Sequence, residues 1–351
     1  MKIIVDAMGG DNAPLCNVKG ALDAVQAYGI QVILVGDGEA ILKCLQGDLG
    51  VGDLPQGLEI AHASQVVTME DNPALAFKEK KDSSLTVGLS LLSEGAGEAF
   101  VSAGSTGALL SAATLMTKRI RGIRRAALAP VVPTGKGGAV LIDCGANAEC
   151  TPEYLLQFAY MGSFYAQHAL CRPEPRVGLL NIGVEESKGT DLQKETYALL
   201  RKAGEEGRIN FVGNVEAREA VEGAVDVIVA DGFSGNVFLK AVEGTGLFLA
   251  RQIKGIFKKN ILTKLAALLV KGGLTDFKKL LDSEEVGGTA LMGISKPVIK
   301  AHGSSGPKAI QNAIRQGMEL ARSGLIEDIA ANIGYMRLGS EIKSEETAEK
   351  S

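Results

Sequence analysis

One local event occurs six times in this sequence and constrains its fold more than any other feature. An apolar, strand-like run stops at a small, polar, glycine-rich turn, and a helical pattern starts directly after it. The turns are 8–11, 102–107, 143–147, 181–183, 231–236 and 302–306. Strands that alternate with helices build a mostly parallel sheet, which binds ligands beyond the carboxyl ends of its strands. The sequence therefore predicts an α/β fold with a ligand site at these turns.

Apolar runs with the length of strands recur along the chain, and helical patterns separate most of them. The predicted strands are 2–6, 31–35, 58–61, 99–102, 139–143, 176–182, 210–213, 225–230 and 298–301. Thr151-Pro152-Glu153 marks one helix start, because Thr is a good N-cap, Pro fits the first helical position and Glu suits the positive end of the dipole. We expect one large domain over residues 1–338 and a disordered, charged tail over 339–351.

The composition limits the class of protein. An apolar content of 46% and a charged content of 22% are typical of a soluble globular chain, and a net charge of −4 argues against a nucleic-acid binder. The five cysteines lack CxxC spacing and predict reduced cytoplasmic thiols. The three histidines lie in separate segments, which argues against a histidine-rich metal centre, although a carboxylate-held magnesium remains open. We expect no signal peptide and no membrane-spanning helix.

The turn 102–107 is the strongest candidate for an anion site. It combines hydroxyls and glycines without an acidic residue. Such a turn can bind phosphate through backbone N–H and side-chain O–H donors. The same residues also suit a helix N-cap and a tight turn, so both interpretations stay open.

Two further turns carry polar side chains with two interpretations each. Lys188 could balance a phosphate as a point charge, or it could be an ordinary exposed loop lysine. Asp231, Ser234 and Asn236 could orient a nucleophile or bond a carbonyl, or they could cap the next helix.

Three other candidates differ in strength. His302 could donate a proton to a leaving group near neutral pH, or it could be structural. Cys144 is a poor nucleophile, because the adjacent Asp143 disfavours a thiolate. Gly36-Asp37-Gly38 begins like a dinucleotide fingerprint but lacks the third glycine, so a plain βα turn is favoured.

The segment 247–281 departs from this alternation. Its apolar residues recur at helical spacing, it is rich in lysine, and Gly272-Gly273 suggests a turn between two arms. A basic amphipathic helix is typical of an interfacial membrane segment, whereas a core or dimer helix with a solvated basic face gives a similar pattern.

Ordered motifs occur along most of the chain: Asp6-Ala7-Met8-Gly9-Gly10-Asp11, Lys80-Lys81-Asp82-Ser83-Ser84, Val101-Ser102-Ala103-Gly104, Thr106-Gly107-Ala108-Leu109, Gly145-Ala146-Asn147, Gln157-Phe158-Ala159, Leu179-Leu180-Asn181-Ile182-Gly183, Lys188-Gly189, Gly213-Asn214-Val215-Glu216, Asp231-Gly232-Phe233, Gly235-Asn236 and Lys300-Ala301-His302-Gly303. Through these motifs the chain resembles the PlsX family of bacterial acyl-carrier-protein:phosphate acyltransferases from residue 1 to about residue 336. The family pattern has Asn where this chain has Ser105, an acid at Val184 and an apolar residue at Cys144. An amide-specific role at position 105 is therefore in doubt.

The resemblance implies a three-layer α/β/α sandwich similar to the isocitrate and isopropylmalate dehydrogenases, with a protruding amphipathic helical segment at 247–281. It also implies a homodimer and a distant likeness to phosphotransacetylases. The implied reaction moves a fatty acyl group from acyl carrier protein (ACP) to inorganic phosphate. The acyl phosphate would feed a membrane glycerol-3-phosphate acyltransferase in phospholipid synthesis.

Residue roles follow from this reaction as hypotheses. Phosphate is already an anionic nucleophile, so the enzyme must hold it, stabilise an oxyanion and help a thiolate leave, without a metal or redox cofactor. The proposed catalytic groups are Lys188, His302, Asn236 and Asp231. The proposed phosphate and acyl contacts are Gly104, Ser105, Thr106, Gly107, Asn147, Asn181, Ser234 and Gly235.

Two surfaces complete the expectations. Arg121 and Arg124, in a basic run over 118–125, are the candidate docking site for the acidic carrier protein. The candidate contacts with an anionic membrane are Ile261, Leu265, Leu268 and Leu269. We thus expect a cytoplasmic enzyme that associates peripherally with the inner face of the cell membrane.

Three rivals stay open at this point. One is a phosphotransacetylase-like enzyme that uses acyl-CoA. Another is a nicotinamide-dependent dehydrogenase of the same fold. The third is a non-catalytic, membrane-associated scaffold for lipid synthesis.

Overall fold

The computed structural model describes residues 1–281 and 287–338, so the expected disordered tail at 339–351 lies outside the described residues. The strands are β1 (Lys2–Asp6), β2 (Gln31–Gly36), β3 (Leu58–His62), β4 (Ala99–Ser102), β5 (Ala127–Ala129), β6 (Val131–Thr134), β7 (Gly137–Ile142), β8 (Arg176–Asn181), β9 (Asn210–Glu216), β10 (Val227–Val229), β11 (Gly288–Met292) and β12 (Val298–Ala301).

Helices connect most of the strands. They are α1 (Leu15–Tyr28), α2 (Gly38–Lys43), α3 (Ala76–Glu79), α4 (Ser84–Glu94), α5 (Thr106–Ala112), α6 (Pro152–Ala169), α7 (Asp191–Glu205), α8 (Ala217–Glu222), α9 (Gly232–Lys258), α10 (Ile261–Leu269), α11 (Lys271–Leu281), α12 (Pro307–Arg322) and α13 (Leu325–Ala331). The π-helical turns Cys44–Asp48 and Ala113–Thr117 extend α2 and α5, and a 3₁₀ turn spans Ile333–Met336. Thr151 caps α6 through the amide of Tyr154, and Pro152 is its first residue, as predicted.

The described strands form two sheets, and most of their pairings are parallel. The first sheet has the order β3-β2-β1-β4-β12-β11-β5, in which only the two pairings of β11 are antiparallel. The second has the order β6-β7-β10-β8-β9, in which only the pairing of β6 with β7 is antiparallel. The six glycine-rich turns divide equally between the sheets. Those after β1, β4 and β12 belong to adjacent strands of the first sheet, and those after β7, β10 and β8 to adjacent strands of the second.

Successive residues of the strands enter different cores, because side chains alternate between the faces of a sheet. Ile3 of β1 and Ile142 of β7 belong to a core shared with α1, α6 and α12. Ile4 and Leu141 belong to another core, shared with α4 and α5. Both sheets are thus covered on both faces, which confirms the predicted α/β class and its mostly parallel strands.

Two details differ from the sequence analysis. Strands β5, β6 and β11 were not predicted. The pair Gly272-Gly273 does not separate two arms, because both residues lie in the first turn of α11. The chain instead leaves helical structure at Lys259-Asn260 and at Val270.

Candidate active site at the strand ends

A row of polar side chains crosses three adjacent strands at the carboxyl edge of the first sheet. Asp6, Ser102 and Lys300 occupy matching positions on β1, β4 and β12, since Lys300 pairs with Ser102 and β1 runs parallel to β4. Each lies two residues after a buried apolar residue of the same strand: Ile4, Phe100 and Val298. The three polar side chains are therefore on one face of the sheet, and all are buried. We call them, with the turns after β1, β4 and β12, the first strand-end group.

Hydrogen bonds join this row to the turns above it. Ser102 Oγ donates to Asp6 Oδ2 at 2.6 Å and accepts from the amide of Gly104 at 3.1 Å. The amide of Met8 donates to Asp6 Oδ1 at 3.1 Å. Lys300 Nζ donates to the carbonyl of Ala103 at 3.4 Å and to the carbonyl of the next residue, Ala301. The row therefore fixes the first peptide groups of two turns.

Burial acts on both charged groups of the row. It lowers the pKa of Lys300 to about 8, while the charges of Asp6 and Asp11 act in the opposite direction. It raises the pKa of Asp6, against the hydrogen bonds from Ser102 and from the amide of Met8. Neither Asp6 nor Lys300 was predicted from the sequence as a site residue. The available signal was a lysine inside the apolar strand Val298–Ala301.

The turns of this group pack closely on one another. A Cβ at Gly9 would lie 2.5 Å from Asp6 Oδ2 and 2.8 Å from the amide nitrogen of Gly104, so only glycine fits there. The amide of Asp11 donates to the carbonyl of Gly303 at 2.8 Å. The turns after β1, β4 and β12 thus form one packed surface.

The predicted phosphate turn starts a helix. Ser105 is the N-cap of α5 and accepts from the amide of Ala108 at 3.5 Å. The amides of Thr106 and Gly107 come next and have no intrahelical acceptor, because they belong to the first turn of a helix. Gly107 packs on Pro73, since a Cβ there would lie 2.9 Å from the proline ring. The cap and the anion site are therefore compatible functions of one turn.

His302 follows Lys300 by two residues and is exposed. Its Nδ1 forms a hydrogen bond with Ser304 Oγ at 2.9 Å. This bond occupies Nδ1 and leaves Nε2 as the other ring nitrogen. The turn also holds Ser305, whose buried hydroxyl has no hydrogen-bond partner within the described ranges 1–281 and 287–338.

The second strand-end group consists of the turns after β7, β8 and β10, and Asp143 is its centre. Asp143 is fully buried and accepts from the amides of Cys144 at 2.7 Å and Asn147 at 2.7 Å. It also accepts from the amide of Leu128 at 2.8 Å, which lies on β5 of the first sheet. One carboxylate thus holds its own turn and ties the two sheets together.

Most predicted residues of this group already have structural partners. Asn147 Nδ2 donates to the carbonyl of Ala126 at 2.8 Å, and Asn236 Nδ2 donates to the carbonyl of Cys144 at 3.1 Å. Asp231 caps α9 by accepting from the amides of residues 233 and 234. Gly235 packs directly on the carbonyl of Asp143, where no Cβ fits. The structure therefore brings these residues together and gives each a task in the frame of the turn.

The turn after β8 holds the remaining pair. Asn181 Nδ2 donates to the carbonyl of Lys188 at 3.2 Å, and Asn181 Oδ1 accepts from the amide of Ile182 at 2.8 Å. Asn181 thus shapes a loop on which the Lys188 side chain is exposed. Because β8 and β10 are neighbours, this loop lies beside the start of α9.

Two weaker candidates gain a structural explanation. Burial and the neighbouring Asp143 raise the pKa of the Cys144 thiol, which supports the expectation that it is not a nucleophile. Asp37, in the incomplete fingerprint, accepts from the amides of Glu39 and Ala40 and caps α2. That contact is typical of a plain βα turn.

The candidate docking arginines lie before α6 and are both exposed. Arg124 Nε lies 3.2 Å from Glu153 Oε1, so part of its charge is balanced within the chain. Arg121 has the simpler environment for an experiment.

The arm, defined as residues 247–281, exposes many of its apolar side chains over residues 247–270. Ile261 is 74% exposed and Leu269 is 89% exposed, and none of the residues of α10 is buried. These side chains are therefore not part of the core of this chain, which leaves a membrane surface and a dimer interface as the two interpretations of the pattern. Within residues 1–281 and 287–338, no helix has the length and apolar character needed to cross a membrane.

Known proteins resemble this chain in sequence and in fold. The family described as fatty acid synthesis protein matches residues 1–328. A phosphate acyltransferase of Alkaliphilus oremlandii is 48% identical over 337 residues, which is 96% of this chain and 98% of the relative. A phosphate acyltransferase of Desulfitobacterium hafniense is 48% identical over 330 residues, covering 94% of this chain and 96% of the relative.

Solved structures agree on the fold. A phosphotransacetylase from Streptococcus pyogenes has a TM-score of 0.61 at 17% identity, covering 91% of this chain and 94% of its own. A branched-chain phosphotransacylase from Enterococcus faecalis has a TM-score of 0.54 at 15% identity, covering 92% of this chain and 100% of its own. These likenesses concern the fold alone, whereas the sequence matches extend over nearly the whole chain. The chain therefore belongs to the phosphate acyltransferases of the fatty acid synthesis protein family.

Proposed function

We propose that this phosphate acyltransferase moves a fatty acyl group from ACP to inorganic phosphate, in a site formed by the strand ends. The products are acyl phosphate, for phospholipid synthesis, and free ACP. The observation that carries the proposal is the first strand-end group. There the buried ammonium of Lys300 contacts the carbonyl of Ala103, and the turn that begins at this residue offers hydroxyl groups and helix-start amides without an intrahelical acceptor. Amide dipoles and a nearby cation favour an anion.

The reaction balances without a cofactor. An oxygen of hydrogen phosphate forms a bond to the thioester carbon, and the carbon–sulfur bond breaks. The proton of hydrogen phosphate ends on the departing thiolate. Gly104, Ser105, Thr106 and Gly107 hold the phosphate in this scheme. Lys188 balances the negative charge of the phosphate. Its positive charge lowers the barrier, because negative charge also develops at the thioester carbonyl in the transition state.

The second strand-end group and His302 act on the thioester. One N–H of the Asn236 amide is occupied by the carbonyl of Cys144, and the other is available to polarise the thioester carbonyl. His302 Nε2 passes the proton to sulfur. Asp231, Ser234 and Gly235 position Asn236 through the start of α9, and Asn147 and Asn181 shape the adjoining turns.

The partners follow from the substrates. We propose that the chain works as a homodimer, that Arg121 and Arg124 receive the acidic ACP, and that a membrane glycerol-3-phosphate acyltransferase takes the product. The arm with Ile261, Leu265, Leu268 and Leu269 binds an anionic membrane surface peripherally, on the inner face of the cytoplasmic membrane. Support comes from the exposure of these apolar side chains beside lysines. Each buried CH₂ contributes about 0.8 kcal/mol, and each basic residue about 1 kcal/mol near such a surface.

The test of the reaction is mass spectrometry of the product formed from acyl-ACP and ¹⁸O-labelled phosphate. We expect labelled acyl phosphate in the presence of a chelator. A product that forms without phosphate, or only with a divalent ion, would contradict the proposal. Faster turnover with acyl-CoA than with acyl-ACP would favour the phosphotransacetylase-like alternative. No product at all would favour a scaffold.

Membrane binding is tested separately by co-sedimentation with liposomes. Binding should rise with the fraction of anionic lipid and fall with salt, because surface charges are screened. The double substitution Leu268→Glu and Leu269→Glu should abolish binding and leave activity on soluble substrates unchanged. Leu54→Glu, at an exposed leucine outside the arm, is the matched control. Wild-type protein that stays in the supernatant at low salt would assign the stripe to a protein interface.

A further inference from the structure

Lys300 is a buried cation whose contacts are directed to the backbone. It is only 9% exposed, and Nζ donates to the carbonyls of Ala103 and Ala301. These carbonyls belong to the first residue of the turn after β4 and the last residue of β12. A buried ammonium loses much hydration free energy, so its retention inside a sheet calls for a specific partner or task.

The row around Lys300 links that cation to the amides of the phosphate turn. Ser102 Oγ donates to the carboxylate of Asp6 and accepts from the amide of Gly104. Lys300 holds the carbonyl of Ala103, which belongs to the same peptide unit as the amide of Gly104. Both ends of one peptide are therefore fixed by the row. This peptide comes two residues before the amides of Thr106 and Gly107.

A second observation in the same group indicates a polar ligand. Ser305 is 6% exposed, and its Oγ has no hydrogen-bond partner in the part of the chain that the structure describes. It lies in the turn that follows Lys300, and its carbonyl accepts from Asn12 Nδ2 at 3.3 Å. A buried hydroxyl without a hydrogen-bond partner costs free energy, and an anion that accepts a hydrogen bond from it removes this cost.

We propose that Lys300 is a positioning residue for phosphate: it orients the turn 103–107 and supplies the positive charge beneath the bound anion. This inference rests on the proposed function, and it assigns the phosphate affinity of that site to Lys300. Asp6 and Asp11 are the carboxylates that face Lys300. Phosphate is therefore attracted by the proximity of Nζ and by the amides of the turn, and not by an excess of positive charge in the region.

The test compares Lys300→Met with Lys2→Met, which removes a lysine from the opposite end of the same sheet. Lys2 lies on β1 and pairs with Glu59 at 2.8 Å. For Lys300→Met we expect the phosphate KM to rise at least about tenfold and the acyl-ACP KM to change less than about twofold. Lys2→Met should leave both constants unchanged. Isothermal titration with inorganic phosphate should show the same loss of affinity.

The pH profile separates positioning by charge from mere packing. In the wild type, the phosphate KM should rise as the pH passes about 8, where Lys300 loses its proton. Lys300→Arg keeps a charge at all accessible pH values and should remove this rise while restoring part of the affinity. A wild-type profile that is flat through this range would overturn the assignment of charge to Lys300.

The other outcomes are decisive as well. Lys300→Met with wild-type phosphate KM and wild-type calorimetry would overturn the inference while leaving the reaction intact. Equal rises in both KM values would indicate general damage and would also overturn it. If Lys300→Met does not fold, Ser102→Ala replaces it, and an unchanged phosphate KM there overturns the inference. Wild-type protein that forms no acyl phosphate would instead refute the proposed function.

Discussion

The two strand-end groups occupy equivalent edges of two sheets, yet their buried aspartates have different partners. Asp6 shares its surroundings with a hydroxyl and a buried ammonium, Ser102 and Lys300. Asp143 accepts only N–H bonds in the described structure, from its own turn and from Leu128 on the other sheet. The first group therefore has donors and a positive charge available for a ligand. The second group uses most of its N–H donors internally.

The difference indicates a division of tasks. A carboxylate whose oxygens accept several amides is a rigid structural element, because breaking any bond leaves a buried N–H without a partner. The group around Lys300 can change its charge balance when an anion binds. We infer that the second group sets the frame and presents Asn236 and Lys188 to the substrates, while the first group holds the phosphate. The following predictions test that division, from the largest effect to the smallest.

Asp143→Ala should cause the largest change, in stability. It leaves the buried amides of Leu128 and Cys144 and the half-buried amide of Asn147 without an acceptor, and loss of a buried hydrogen bond costs about 1–3 kcal/mol. We expect the free energy of unfolding, from urea denaturation, to fall by about 3 kcal/mol or more.

The matched control for that substitution is Asp37→Ala. Asp37 also accepts from two amides, but it caps α2 near the surface. Loss of an exposed N-cap costs about 1 kcal/mol. If Asp143→Ala destabilises the protein no more than Asp37→Ala does, the second group is not the frame of the site.

Lys188→Ala should lower the efficiency of phosphate use about tenfold, equivalent to about 1.4 kcal/mol of transition-state binding. The circular dichroism spectrum should not change, because the Lys188 side chain is exposed. Lys194→Ala, at an exposed lysine of α7, is the control. Wild-type kinetics in Lys188→Ala would make Lys188 an ordinary loop residue and would confine anion binding to the first group.

Arg121→Glu should have the smallest effect, a loss of a few-fold in acyl-ACP use, because rim charges mainly affect the rate of association. The salt dependence of this rate should become flatter, and acyl-CoA use should change less. Arg121 is the better test site, since reversal of Arg124 would also place two acids together at Glu153. Equal losses with both donors would place the damage in the strand-end groups instead.

The sequence predicted the strands that carry the site better than the strands that join the sheets. The predicted runs 2–6, 99–102 and 298–301 match β1, β4 and β12. Strands β5, β6 and β11 escaped prediction. β5 has three residues and pairs with β11, which is far away in the sequence, whereas β6 is a four-residue strand in a hairpin with β7. Only Pro130 separates β5 from β6, so the local sequence pattern of this segment resembles that of an irregular loop.

The turns of the site were also predictable, whereas the row beneath them was not. Glycine and hydroxyl residues in 102–107 are a local signal. Asp6 and Lys300 are 294 positions apart in the sequence. They share one face of the sheet only because β1, β4 and β12 are adjacent strands. The structural tasks of Asp231 and Asn236 likewise depend on the pairing of β10 with β7.

The most direct test of the division between the groups is an NMR titration of ¹⁵N-glycine-labelled protein with inorganic phosphate. Glycines lie in both groups: Gly104 and Gly107 in the first, and Gly145, Gly232 and Gly235 in the second. The account predicts saturable shifts of the Gly104 and Gly107 amides, with much smaller shifts in the second group. Saturable shifts confined to Gly145, Gly232 and Gly235 would contradict it.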